Sequence, residues 1–401
     1  MAGEGGVRRR GVVCCGGVVR GGDEGAAAAL GGDHAVGLEG PVGLGDGVHG
    51  QVQLRGQRAD RRQPGAGREL AGRRARGDLD PQLLVRRDAR GVVEREDLHV
   101  PHGRDMPMDR DVLVVGESLV DIVHAADGST TEYAGGSAAN VAVALSRLGR
   151  EVRFVTAWAD DPRGRLLADH LAGAGVELAG DPLVLDRTAT AAATIGADGA
   201  ASYEFDLDWR IGEVEPGQPV AVHVCSIGAV LEPGASQVLA LLTGLHGRST
   251  ISYDVNARPA ITGTGPDLVG RVERMAAVAD LVKASDEDLA ALYPQLDIET
   301  AARHLLALGP AAVVVTRGGE GATWVGADRT VEVASLPVEV ADTIGAGDTF
   351  GAAVIDALWD RSPAGLGTAE IEEVLAHAAR AAAVTVSRPG ADPPYRSELG
   401  S

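Results

Sequence analysis

A chain of 401 residues with 45% apolar content can build one large domain or two modest ones, and it has no run of about 18 apolar residues to cross a membrane as a helix. Its 57 acidic residues outnumber 37 basic ones for a net charge of −20, which argues against nucleic acid or an anionic membrane as partner. Cys14, Cys15 and Cys225 are too few and too unevenly spaced for a disulfide framework or a zinc site, so a reducing cytoplasm is the expected location.

Residues 1–108 hold 24 of the 56 glycines, with arginine clusters such as Arg8-Arg9-Arg10 and Arg61-Arg62 and no sustained strand or helix period. Three readings compete for this low-complexity extension: an Arg/Gly-rich nucleic-acid arm, a targeting segment, or upstream DNA translated from a start codon set too early. Seventeen arginines against 15 acids leave little positive charge for an arm. The apolar stretch Val12–Cys15 is cut by Gly16-Gly17, whereas a signal peptide needs it unbroken. Met106 and Met108 stand just before the first convincing strand, which favours the third reading and a disordered or artefactual extension. The acidity therefore lies downstream, where 20 basic residues face 42 acidic ones. Lys283 is the only lysine in the chain, an Arg-for-Lys bias that reads as genomic composition.

From Asp109 onward the pattern becomes regular. Val112–Val115 is a short apolar run closed by Gly116, as expected of a strand buried on both faces. Ser137–Leu148 repeats small and apolar residues at helical spacing and stops at Gly149. Strands are expected again at Val152–Thr156, Ala221–Cys225, Ile251–Val255, Leu281–Val282 and Ala311–Thr316, with helical stretches between them such as Thr300–Leu308. This alternation predicts an α/β fold with a doubly wound, mostly parallel sheet flanked by helices. Thr188–Ile195 and Ala201–Phe205, joined by Ala197-Asp198-Gly199, break the rhythm as a hairpin. With Thr130–Tyr133 they predict a small β-sheet lid, from segments near 118–134 and 186–210, over a cleft in a domain spanning 109–401.

The sharpest chemical signal is Asp342-Thr343-Ile344-Gly345-Ala346-Gly347-Asp348-Thr349-Phe350, followed by the helical stretch Gly351–Leu358. A small-residue loop entering a helix exposes backbone N–H groups that lack intrahelical partners, and the helix dipole favours an anion there. Gly345, Ala346 and Gly347 let a phosphate approach the backbone, and Asp348 in the first turn can take a proton from a hydroxyl aligned on that phosphate. Taken alone, Asp348 could equally be a residue that complements the helix dipole. The second motif, Gly135-Gly136-Ser137-Ala138-Ala139-Asn140, combines a close-approach turn with an amide able to read hydroxyls.

These two motifs, in this order and roughly 200 residues apart, resemble the two signatures of the PfkB/ribokinase family of sugar kinases, and the resemblance extends over 109–401. It implies a ribokinase-like fold, with ATP and Mg²⁺ as cofactors and a small-molecule sugar as the other partner. Asp348 would be the catalytic base, with Gly345, Ala346 and Gly347 as the anion cradle. Asp121 would bind the sugar alongside Gly135, Gly136 and Asn140. The nucleotide would meet Ser285, Thr316, Gly318, Gly321 and Arg258. Ser285 and Asp288 stand where the family often has Asn-x-x-Glu, so Asp288 would reach Mg²⁺ through water, although a helix N-cap explains the same residues. Asp342 is a candidate for a monovalent cation such as K⁺, with Ile344, Thr385, Arg388 and Gly390, but the usual late serine is Pro394. Position 159 is Ala159 where the first signature expects glycine.

Gly116-Glu117, Tyr203–Arg210 and Asp254-x-Asn256-x-Arg258 look most like fructokinases, which implies phosphorylation of D-fructose to fructose 6-phosphate. A 2-keto-3-deoxygluconate kinase, which needs a cation such as Arg210 for its substrate, and a ribokinase are the enzymatic rivals. A catalytically inactive sugar-binding regulator is disfavoured by the intact Asp348 loop, and a dehydrogenase by the absence of Gly-x-Gly-x-x-Gly after the first strand. The expected partners exclude nucleic acid and membrane, and a homodimer is allowed for.

Overall fold

The computed structural model describes residues 7–10, 109–125, 127–195 and 201–400. Apart from Val7–Arg10, the expectations for residues 1–108 lie outside the described residues, as does the Ala197-Asp198-Gly199 turn.

Two sheets form. The nine-stranded sheet runs β14 (Thr330–Val333), β13 (Ala322–Gly326), β12 (Ala312–Thr316), β11 (Leu281–Ser285), β10 (Thr250–Asp254), β9 (Pro219–Cys225), β2 (Asp109–Val115), β5 (Glu151–Val155) and β6 (Glu177–Leu178). Strands β12 through β6 are parallel, and β13 and β14 extend the sheet antiparallel. Val112–Val115 and Ala312–Val315 are buried on both faces, which is why they read as continuous apolar runs rather than alternating ones. The chain starts mid-sheet at β2, steps to β5 on one side and later to β9 on the other. This creates a topological switch point between β2 and β9, the place where open α/β sheets bind ligands beyond the strands' carboxyl ends.

Helices cover both faces. On one face α4 (Gly234–Leu245), α6 (Pro266–Ala276), α7 (Asp286–Leu292) and α8 (Ile298–Leu306) bury residues such as Val238, Leu242, Val272, Leu289 and Leu305 against Val222, Ile251 and Val282. On the other, α1 (Ser137–Arg147), α2 (Pro162–Gly173), α9 (Ala346–Ala357) and α10 (Thr368–Val386) pack Leu145, Leu171, Ile355 and Leu375. The short α3 (Ser226–Val230) and α5 (Pro259–Thr262) follow β9 and β10. Helix starts obey local chemistry: Asp161 accepts from Gly164 N at 2.8 Å ahead of Pro162, and Asp297 accepts from Thr300 N at 2.7 Å.

The second sheet is the expected lid, in the order β1 (Val7–Arg10), β8 (Ala201–Leu207), β7 (Thr190–Ile195), β3 (Leu119–His124), β4 (Thr130–Gly135). Its hairpin pairs Ile195 with Ala201 and Thr190 with Asp206. Leu119, Phe205 and Leu207 on its inner face meet Ile227 of α3 and Ile261 of α5 in an apolar cluster of their own. The lid's return is anchored by buried Trp209, whose Nε1 donates to Gly228 O at 2.9 Å.

The upstream segment contributes main-chain pairing of β1 to β8, and the described apolar clusters contain no residue before Val112. A chain beginning at Met108 is therefore expected to melt within about 4 °C of the full chain, a shift worth about 1 kcal/mol. A larger fall, read by calorimetry, would show that residues 1–107 stabilise the fold.

Candidate active site

The site forms where the C-terminal ends of β2, β9 and β10 meet the first turn of α9 beneath the lid. An open cleft of about 410 Å³ lies there, with Glu117, Gly136, Ser137, Asn140, Ser226, Arg258 and Asp348 among its walls and Leu119, Phe205, Ile227 and Ile261 on its apolar side. Helix α9 starts at Gly345, whose φ of 73° is left-handed and whose place against Ala391 leaves no room for a Cβ. Thr349 N donates to Gly345 O at 2.8 Å, and the amides before it belong to the first turn that a helix cannot satisfy itself. Gly347 and Asp348 thus stand at an anion-favouring helix end.

Asp348 is buried, and both of its carboxylate oxygens are held. Ser137 Oγ donates to Oδ1 at 2.7 Å and Asn140 Nδ2 to Oδ2 at 2.8 Å, both from the first turn of α1. Asn256 Nδ2 donates to Ser137 Oγ at 2.8 Å and approaches Asp348 Oδ1 at 3.4 Å. Because Asn256 fills an acceptor position on the Ser137 hydroxyl, the single Ser137 proton is aimed at Asp348 rather than at Cys225 Sγ, 3.3 Å away. Asn256 and Ser226 hold positive φ of 36° and 54°, sparsely populated for residues with a side chain, and both lie at this site.

Glu117, which the sequence offered only as part of a resemblance, is buried behind this constellation. Its Oε1 accepts from Ser137 N at 3.3 Å and its Oε2 from Gly228 N at 2.9 Å. Neither α1 nor α3 has a side-chain cap from its own N-cap residue, so one carboxylate serves the first turns of both. Burial pushes the Glu117 carboxyl up to about 7, against the pull of the backbone N–H groups of Glu117 itself and Gly228 and of Arg258, with Asp348 adding to the rise.

The other expected residues fall as follows. Asp121 on β3 turns toward Gly135, where a Cβ would lie 2.2 Å from Asp121 Oδ2, beside the cleft-lining Gly136. Arg258 reaches the cleft and donates to the carbonyls of Asn256 and Ala257. Arg210, considered for a substrate carboxylate, is instead paired with Asp208 at 2.6 Å and is not among the residues lining the cleft. Ser285 and Thr316 are register partners at the ends of β11 and β12, and the turn Arg317–Gly321 closes with Arg317 N to Gly321 O at 2.8 Å. Gly318 sits at φ 47° and Gly321 at φ 111°, the latter too close to Val333 O for any side chain. The N-cap reading of Ser285 and Asp288 is realised as a capping box, and Asp288 Oδ1 also accepts from Ala257 N at 2.8 Å. Asp342 joins two loops, accepting from Ile344 N at 3.0 Å and Gly390 N at 2.8 Å. Among the described residues no three His, Cys, Asp or Glu side chains cluster as a metal cage.

A family model described as pfkB family carbohydrate kinase matches residues 109–398. This chain belongs to that family. A fructokinase of Rhizobium leguminosarum bv. trifolii is 35% identical over 62% of this chain and 79% of its own length. The crystal structure of a fructokinase with bound ATP from Xylella fastidiosa covers 73% of this chain and 97% of its own, at 26% identity and a TM-score of 0.63. A double mutant of a fructokinase from Vibrio cholerae O395, in a form with fructose, ADP and potassium ion bound, covers 73% of this chain and 96% of its own, at 25% identity and a TM-score of 0.59. The fold is ribokinase-like, and the enzyme is a sugar kinase.

Between the ordinary 4.5 and about 7, folded Glu117 keeps a proton that the unfolded chain releases, so stability falls as pH rises through that window, by up to about 3 kcal/mol. Glu117→Gln removes this titration. Its melting temperature is expected to change less between pH 5 and 7 than that of the wild type, and parallel curves would show that Glu117 does not carry the dependence.

Proposed function

We propose that this kinase transfers the γ-phosphoryl group of ATP to the primary hydroxyl at C6 of D-fructose, with Asp348 as general base. The observation that carries the reading is the buried Asp348 carboxylate at the first turn of α9, held on one oxygen by Ser137 and on the other by Asn140 at the wall of the cleft. The sugar hydroxyl gives its proton to Asp348 as its oxygen attacks the γ-phosphorus, and the bond to the β–γ bridging oxygen breaks to release ADP. Amides around Gly345–Gly347 face the charge that spreads over the equatorial oxygens during transfer. Asn140 and Asp121 read sugar hydroxyls, and Phe205 with Leu119 covers the carbon face.

Nucleotide contacts are assigned to Ser285, Thr316, Gly318 and Gly321, along the ends of β11 and β12, with Arg258 toward the phosphates. Mg²⁺ would offset the phosphate charge, and such an ion, which keeps several of its waters, needs only one or two carboxylates from the protein. Asp288 suits that role through water. Asp342 suits K⁺ binding, because its two hydrogen bonds draw the 342–344 and 390 backbones together. The Vibrio cholerae fructokinase double mutant has potassium ion bound, which supports the same choice here.

Asp348→Asn is expected to lower kcat by on the order of 10² to 10⁴ while leaving ATP affinity nearly unchanged, since the base acts on the acceptor and the cradle is backbone. Steady-state kinetics with calorimetric ATP titration of the folded variant measures both. Near-normal kcat would remove Asp348 from the role.

Substrate choice follows from charge. A keto-acid entering the cleft would meet Arg258 but also the Asp348 carboxylate, and like charges in a closing site are costly. D-Fructose is therefore expected to show a higher kcat/KM than 2-keto-3-deoxygluconate in an ADP-release assay. Preference for the keto-acid, lost in Arg258→Ala, would reverse the substrate assignment while keeping the phosphoryl transfer.

A further inference from the structure

Of the 37 Lys and Arg residues in the chain, Lys283 alone is lysine, and it is buried at the centre of the sheet's C-terminal edge. On β11 it is the register partner of Asp254 on β10, and its Nζ donates to Asp254 Oδ2 at 2.7 Å. Asp254 Oδ1 has no hydrogen-bond partner among the described residues, so the carboxylate depends on this one ammonium. The stem of Lys283 lies under the first turn of α9: a Cβ built on Gly347 would stand 3.6 Å from Nζ, and one on Gly351 3.7 Å from Cδ.

We propose that Lys283 is a positioning residue for phosphoryl transfer. Its ammonium, fixed by Asp254 beneath Gly347, offsets the negative charge that the transferring group and Asp348 together bring to the N-terminus of α9. The charged groups around it support this: Asp254, Asp288 and Asp348 are the carboxylates acting on it, and His223 is the other basic group within its influence. Burial works against the ammonium, but the ion pair with Asp254 outweighs it and holds Lys283 above the usual lysine range. Burial pushes the Asp254 carboxyl up to about 6 despite Lys283, so the pair is ionic at neutral pH. Burial, with Lys283 nearby, drives His223 down to about 3, so His223 is neutral and Lys283 is the persistent positive charge under the helix. In a region screened from water, a fixed charge a few ångströms below a phosphate site acts more strongly than the same charge in solvent.

A merely structural ion pair would look the same in the resting protein, so the test separates the two roles. Removing Lys283 alone leaves Asp254 buried and unpaired, which is expected to impair folding. The informative variant is therefore the double exchange Lys283→Met with Asp254→Asn, which keeps shape and removes both charges. It is expected to melt near the wild type and bind ATP as tightly, yet to show kcat on the order of 100-fold lower. In the full-length wild type, labelling with ¹³C,¹⁵N-lysine gives a single side chain to observe. Its Cε resonance is expected to move when aluminium fluoride is added to the complex with ADP, Mg²⁺ and D-fructose, because the fluoride mimics the transferring group. A double variant with kcat within about threefold of the wild type, or an unmoved resonance, overturns the proposal; if the double variant does not fold, the resonance decides. Wild-type turnover of fructose, measured in the same samples, distinguishes failure here from failure of the fructokinase reading.

Discussion

The rest of the site is arranged around a carboxylate that must sit at a helix N-terminus, inside a covered cleft, without losing its charge or its aim. A helix end favours an anion, and the two oxygens of Asp348 accept hydrogen bonds from the neutral donors Ser137 and Asn140. The cations are placed one layer out instead, with Lys283 below the helix and Arg258 across the cleft. Glu117, the other acid close to Asp348, is buried deeply enough that its proton stays on through mildly acidic pH, which limits the crowding of like charges.

This arrangement follows from sheet topology. Glu117 comes directly after β2, Ser226 directly after β9, and Asn256 and Arg258 just after β10, so a parallel order delivers their side chains to one edge. The switch point between β2 and β9 opens the crevice there, and α1 and α9, the helices carrying Ser137, Asn140 and Asp348, pack side by side over it. The first turn of α1 and the first turn of α9 are separated by about 200 residues of sequence, and the donors on one meet the acceptor on the other. Positive φ at Asn256 and Ser226 is the local strain that the surrounding core sustains to bring these ends together.

Much of this could be read from the chain in one dimension. The buried parallel strands announce themselves as apolar runs, the lid as alternation around a hairpin, and the cleft carboxylate as an aspartate after Gly-Ala-Gly. What the sequence hid has physical reasons. Glu117 and Asn256 work through a carboxylate bridging two helix starts and an amide behind a hydroxyl, contacts that no spacing rule encodes. Lys283 was visible as the single lysine, yet composition gave it a genomic explanation, and only its register with Asp254 reveals its place. Arg210 shows the converse: a cation in the right segment that pairs with Asp208 and does not line the cleft. Ser285 and Asp288 had two readings, and the capping box is the one built in the backbone.

The acidity of the domain adds a final constraint. With 42 acidic residues against 20 basic ones from Asp109 onward, the surface repels the triphosphate that the enzyme must admit. Such a protein cannot rely on a basic patch, and Arg258 is a single cation beside several carboxylates. On the proposed reading, phosphate binding then rests on backbone groups carrying no formal charge, the helix N-terminus at Gly345–Gly347 and the glycine turn at Gly318–Gly321, together with a metal cation that arrives with the nucleotide. Those groups act over short distances and only when correctly oriented. That accounts for their rigidity here, since Gly345 and Gly321 are each pressed against neighbouring backbone that would exclude a Cβ. The nucleotide is held by geometry more than by field, and a geometric cradle is also the one that best distinguishes the transferring phosphoryl group from the ground state.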